Sequence, residues 1–97
     1  MELYAIRRRN AWKTPEELQA AAEKSGQIGN DEMSDQIRWI RSYVVTEDDG
    51  TLGTVCIYEA TSPEAISDHA SRVGMPADEI TAVADTVVVR PDPVAAA

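Results

Sequence analysis

The chain has a single cysteine, Cys56, so no disulfide can close within it. That fits a reducing cytoplasm. It also has a single histidine, His69. One imidazole and one thiol cannot complete a four-ligand transition-metal site without carboxylates, water or a second subunit. No stretch approaches the roughly 20 apolar residues of a membrane-spanning helix. The opening residues MELYAIRRRN place their charges after the apolar residues and hold no apolar run of signal-peptide length. A soluble, cytoplasmic protein is expected. Positive charge is scarce, with 9 basic against 17 acidic residues and a net charge of −8. Such a surface repels phosphate backbones and anionic bilayers, which argues against nucleic acid and membrane as partners. Arg7, Arg8 and Arg9 form a basic run too short to change that. There is no phosphate-binding glycine loop, no GxSxG elbow and no HExxH pair. The acidic Glu47-Asp48-Asp49 run lacks the spacing of a calcium loop and reads as a solvated turn. No catalytic residue and no organic cofactor can be assigned from these patterns.

What is present is one small domain with a thin core. A chain of 97 residues is expected to fold as a unit over residues 1–90, with 91–97 as a disordered tail. Residues 1–9 alternate as a strand, with Leu3, Ala5 and Arg7 on one side and Tyr4, Ile6 and Arg8 on the other. Thr14-Pro15-Glu16-Glu17 has the makings of a helix start: a capping hydroxyl, a proline at the first position and a glutamate to complete the box. Leu18, Ala21, Ala22, Ser25 and Ile28 follow on one helical face. Gly26 and Gly29 weaken its end. Strands are expected over 37–45 and 51–60, joined by an Asp-Gly turn. Ser62-Pro63-Glu64 starts a second helix, whose buried stripe is Ile66, Ala70 and Val73 and whose end is Gly74. A last strand is expected over 80–90. The order β-α-β-β-α-β is that of an α+β, ferredoxin-like domain, two helices on one face of an antiparallel sheet.

A two-residue Asp49-Gly50 turn pairs Tyr43 with Cys56, Arg41 with Tyr58 and Trp39 with Ala60. Those residues then share one face. Ile40, Ser42, Val44, Val55, Ile57 and Glu59 make the other, and compact aliphatic side chains suit a face covered by helices. Trp39, Arg41, Tyr43, Cys56 and Tyr58 are therefore expected on the uncovered face, where a homodimer partner, a small-molecule ligand or the chain's own tail would meet them. A longer loop that includes Gly53 would shift the register by one residue and exchange the faces. Cys56 alone reads as a small buried hydrophobe. His69 reads as a packing or hydrogen-bonding residue. Asp68 directly precedes it and Glu59 falls at the end of the preceding strand, which makes His69, Glu59 and Asp68 the candidate metal ligands.

Trp39-Ile-Arg-Ser-Tyr43, Cys56-Ile-Tyr-Glu-Ala60, Glu64-Ala-Ile-Ser-Asp-His-Ala70 and Gly74-Met-Pro76 together resemble a family of short bacterial proteins. That family is catalogued as a domain of unknown function, and one studied type is a nickel-binding protein. The resemblance runs from about Met1 to Val89. It implies a ferredoxin-like subunit paired into a dimeric α/β barrel, with nickel bound at the dimer surface and a role in sequestration. Three functions follow as expectations: nickel binding, a small-molecule binder or enzyme of the dimeric-barrel type, and a structural interaction module.

Overall fold

Thr14 and Ser62 each accept a hydrogen bond from the backbone N–H three residues on, at Glu17 and Ala65, and a proline follows each cap. These two signals start the only two helices among the described residues, which in this computed structural model are 1–93. The elements are β1 (Glu2–Trp12), α1 (Pro15–Asp31), β2 (Ile37–Thr46), β3 (Leu52–Ala60), α2 (Pro63–Val73) and β4 (Glu79–Ala82). The four strands pair antiparallel in the order β2-β3-β1-β4. This is the expected ferredoxin-like α+β arrangement. Gly74 ends α2 at φ 85°, a conformation that costs glycine nothing.

Two strands differ in length from expectation: β1 runs on to Trp12, past Arg9, and β4 is short. Helix α1 runs through both of its glycines and ends at Asp31. A Cβ on Gly29 would stand 3.5 Å from Ile37 and 3.7 Å from His69, ordinary packing distances, so β2 and α2 lie close against the helix there. Strand β4 stops at Ala82, short of Arg90. Its partner is β1, and after the bond from Val83 N to Leu3 O the N-terminal end of β1 is reached. Val87, Val88 and Val89 pair with no strand among the described residues. Of the tail expected over 91–97, residues 94–97 lie outside the described residues; Asp92 contacts Arg41 and Tyr43.

The faces of β3, and the side on which Trp39 lies, are the reverse of the expected ones, while Arg41 and Tyr43 keep the uncovered face and Ser42 and Val44 the helix-covered one. The loop has three residues, Asp48 to Gly50, flanked by a bond from Glu47 N to Thr51 O of 2.8 Å. Gly50 closes the turn at φ 85°. Tyr43 therefore pairs with Val55, Ser42 with Cys56 and Arg41 with Ile57. A bulge between Trp39 and Arg41 then sets Trp39 opposite Tyr58. A one-residue slip moves a whole strand's side chains across the sheet. Thr54, Cys56, Tyr58 and Ala60 are buried toward the helices, while Val55, Ile57 and Glu59 are half-buried on the outer face. The longer loop is pinned by Glu47, which pairs with Arg7 at 2.6 Å and accepts from Asn10 N at 2.9 Å. The acidic tip is thus partly tied to β1 and not simply solvated.

The core lies between helices and sheet. It comprises Tyr4, Ile6, Ile28, Met33, Ile37, Cys56, Tyr58, Ala60, Ala65, Ile66 and Val73.

Candidate functional site

Helix α1 lies close on the sheet only in its second half. Ser25 and Ile28 are buried, whereas Leu18, Ala21 and Ala22 in the first half stay partly exposed. The space left beneath them is a pocket of about 240 Å³, lined by those three residues, Trp12, Trp39, Val44 and Met75, with Arg8, Thr54, Cys56 and Tyr58 from the sheet. A second cavity of about 330 Å³ lies further along α1. Ser25, Trp39 and Tyr58 border both.

Tyr58 organises the wall between them. Trp39 stacks on it, with ring centroids 6.1 Å apart and planes 14° from parallel. Its hydroxyl lies 3.0 Å from Ser25 Oγ. The His69 ring is tilted against it at 5.7 Å, and His69 Nε2 lies 3.0 Å from the Ser25 carbonyl oxygen. Since that oxygen can only accept, Nε2 carries the proton and donates it. Ser25 thus ties α1 to both β3 and α2. Burial pushes the Tyr58 phenol up and holds the His69 imidazole below its ordinary value, so both are neutral at pH 7. Trp39 Nε1 donates to Ser42 Oγ at 2.8 Å, and Ser42 Oγ donates to Cys56 Sγ at 3.0 Å.

Arg8 is the unusual member. It is 1% exposed. Nη1 donates to the Pro76 carbonyl oxygen at 2.7 Å, and the guanidinium carbon stands 5.9 Å from the Tyr58 centroid. Nη2 is buried with no partner. No carboxylate pairs with it among the described residues. An arginine stays protonated at any physiological pH, and an unpaired buried charge is costly.

Of the five residues expected to share a ligand face, Trp39, Cys56 and Tyr58 do come together, at this pocket and under the helix. Arg41 and Tyr43 do not. They lie on the outer face and hold Asp92, at 2.9 Å from Arg41 Nη1 and 2.8 Å from the Tyr43 hydroxyl. The metal candidates are dispersed. Glu59 lies 3.9 Å from Arg38 on the outer face, Asp68 pairs with Arg72 at 3.0 Å, and His69 is committed to Ser25. Sequence reading missed Arg8, although one signal was present: it continues the buried alternation of Tyr4 and Ile6.

A family model described as "Nickel responsive protein SCO4226-like" matches residues 4–83. The chain belongs to the SCO4226-like family. Among solved structures, the crystal structure of SCO4226 from Streptomyces coelicolor A3(2) is 22% identical, with a TM-score of 0.68, covering 88% of this chain and 99% of that one. This likeness shows the fold. Comparison with curated protein sequences gives no match. The family's description raises nickel, and the donor set can be tested against it. Among the described residues, no three His, Cys, Asp or Glu side chains converge to hold a metal ion. The described residues of one chain therefore do not by themselves present three converging donors for nickel.

Proposed function

We propose that this protein is a small-molecule-binding subunit whose ligand occupies the pocket between the first half of α1 and the sheet. The observation that carries the reading is a buried arginine without a counter-ion bordering a largely apolar pocket. Small-molecule sites have this composition, apolar walls with a few placed polar groups. Structural arginines are normally paired when buried. The chain's two tryptophans both line this pocket, so the indole N–H signals in a proton–nitrogen NMR spectrum report on it directly. Small aromatic and aliphatic fragments should shift both signals saturably. Ala22→Leu, which fills the pocket from α1, should abolish the shifts. Fragments that leave both indoles unmoved, or move them equally in Ala22→Leu, would refute the reading.

The outer face supports a homodimer as the working form. Leu3, Ala5, Val55 and Ile57 are only half-buried there, and Val87, Val88 and Val89 are 74–85% exposed. Apolar surface of this kind is usually covered. Sedimentation equilibrium should give twice the chain mass; a monomer at working concentrations would rule this out.

The family's description favours a second reading, a link to nickel. Since the donors of one chain do not converge, a bound ion would need ligands from more than one copy. Calorimetry with Ni²⁺ tests it. Heat no greater than that of an unrelated acidic protein would end it.

A further inference from the structure

We infer that the pocket selects a small organic monoanion with a flat apolar body, a carboxylate on an aromatic frame, and that Arg8 holds its charge. The inference rests on the small-molecule reading above and names the class of ligand.

The charge follows from comparing arginines. Arg7, Arg9, Arg38, Arg41 and Arg72 each face a carboxylate, at 2.6 to 3.9 Å. Four of these pairs lie at the surface, where such pairs contribute little, and the fifth, Arg7 with Glu47, is half-buried. Arg8 is buried, where a counter-ion matters most, and has none. The chain carries 17 acidic residues, so carboxylates are not in short supply. The missing partner is one that the fold leaves to be supplied from outside. Nη2 is closed to water and to a ligand oxygen of the same size, so the anion's contact requires the guanidinium to turn toward the pocket.

The valence follows from what surrounds it. Trp12, Leu18, Ala21, Ala22, Val44 and Met75 offer no second cation. One guanidinium, hydrogen-bonded at Nη1, carries one positive charge and matches a single negative one. A phosphate dianion would keep most of its desolvation cost unrepaid. Carboxylates are also the anions whose planar geometry fits a guanidinium edge.

The body follows from size and lining. A cavity of about 150 Å³ is enough for a benzene ring, and this pocket has about 240 Å³. That leaves room for one ring and a short acid arm. Two indoles border it, and aromatic surfaces favour flat partners.

The test titrates the intact chain by tryptophan fluorescence with three ligands of nearly one shape: phenylacetate, 2-phenylacetamide and 2-phenylethylamine. The acid should bind at least about tenfold tighter than the amide, as a charge-assisted bond replaces a neutral one. The amine should bind weakest. In Arg8→Met, checked for folding by circular dichroism, the acid's advantage should vanish. The wild-type series decides the matter even if that variant does not fold. Equal binding of acid and amide overturns the inference and leaves the pocket reading standing. No binding of any of the three, while neutral fragments still shift the indole signals, also overturns the inference alone. Loss of both responses overturns the two together.

Discussion

The hydroxyl of Tyr58 and Oγ of Ser25 meet at 3.0 Å, both groups buried, and this contact joins β3 to α1 at the wall shared by the two cavities. Tyr58→Phe removes one partner and strands the other. The expected loss is about 1–3 kcal/mol, the cost of an unsatisfied buried polar group. Urea unfolding at neutral pH measures it. A change close to zero would mean that Ser25 finds another acceptor and the contact is incidental.

Gly53 is required by space and not by backbone angle. A Cβ there would overlap Arg8 O, a main-chain atom that cannot swing away, as well as the Glu47 carboxylate. Gly53→Ala should destabilise by about 1–3 kcal/mol, the range for overpacking. Thermal unfolding reads this out. A neutral result would show that β1 and β3 can separate locally without loss.

His69 makes stability depend on pH. Its folded-state pKa lies below the ordinary value because burial disfavours the imidazolium. Protonation therefore favours the unfolded chain. The contribution is intact above an ordinary histidine pKa of about 6.5 and is lost as pH falls through the lower folded value. His69→Gln keeps a donor for the Ser25 carbonyl and removes the titration. Unfolding free energies from pH 8 to 5 should slope downward for the wild type and stay flatter for the variant. Parallel slopes would contradict this assignment.

Glu47 acts in a lower window. Its pKa is depressed, first by the hydrogen bond from Arg7 and next by the Asn10 N–H. A depressed carboxylate stabilises the fold above its unfolded pKa of about 4.3 and loses that contribution as pH falls through the folded value. Glu47→Gln should melt below the wild type at pH 7, with the gap closing under more acid conditions. A gap that persists unchanged in acid would mean that the carboxylate's charge is not what pins the loop.

Element order was legible because its signals are local. Pro15 and Pro63 behind their capping hydroxyls, Gly74 and the alternating strands all speak within a few residues. The hairpin faces were not legible, because they turn on one residue of loop length. Asp49-Gly50 suits a two-residue turn, but Glu47 is anchored to Arg7 and Asn10 on β1, a strand forty residues away in sequence. No local pattern carries that contact. The same slip decided the site. Trp39, Cys56 and Tyr58 were rightly grouped, but they face α1, and only Arg41 and Tyr43 keep the uncovered face expected for all five. Arg8 was readable as a charge on an apolar alternation. Its lack of a counter-ion becomes visible only when the helices are in place.

The account turns on Arg8 being kept for a ligand and not for the fold, and paired melting curves test that most directly. Arg8→Met removes an uncompensated buried charge and keeps an apolar side chain, so without ligand it should melt at or above the wild-type temperature. With phenylacetate at about 100 times its dissociation constant, the wild type should gain about 2.7 kcal/mol. For a domain of this size that is a rise on the order of 10 °C, and the variant should show almost none. A variant that melts well below the wild type without ligand, and rises with phenylacetate as much as the wild type does, would contradict the account.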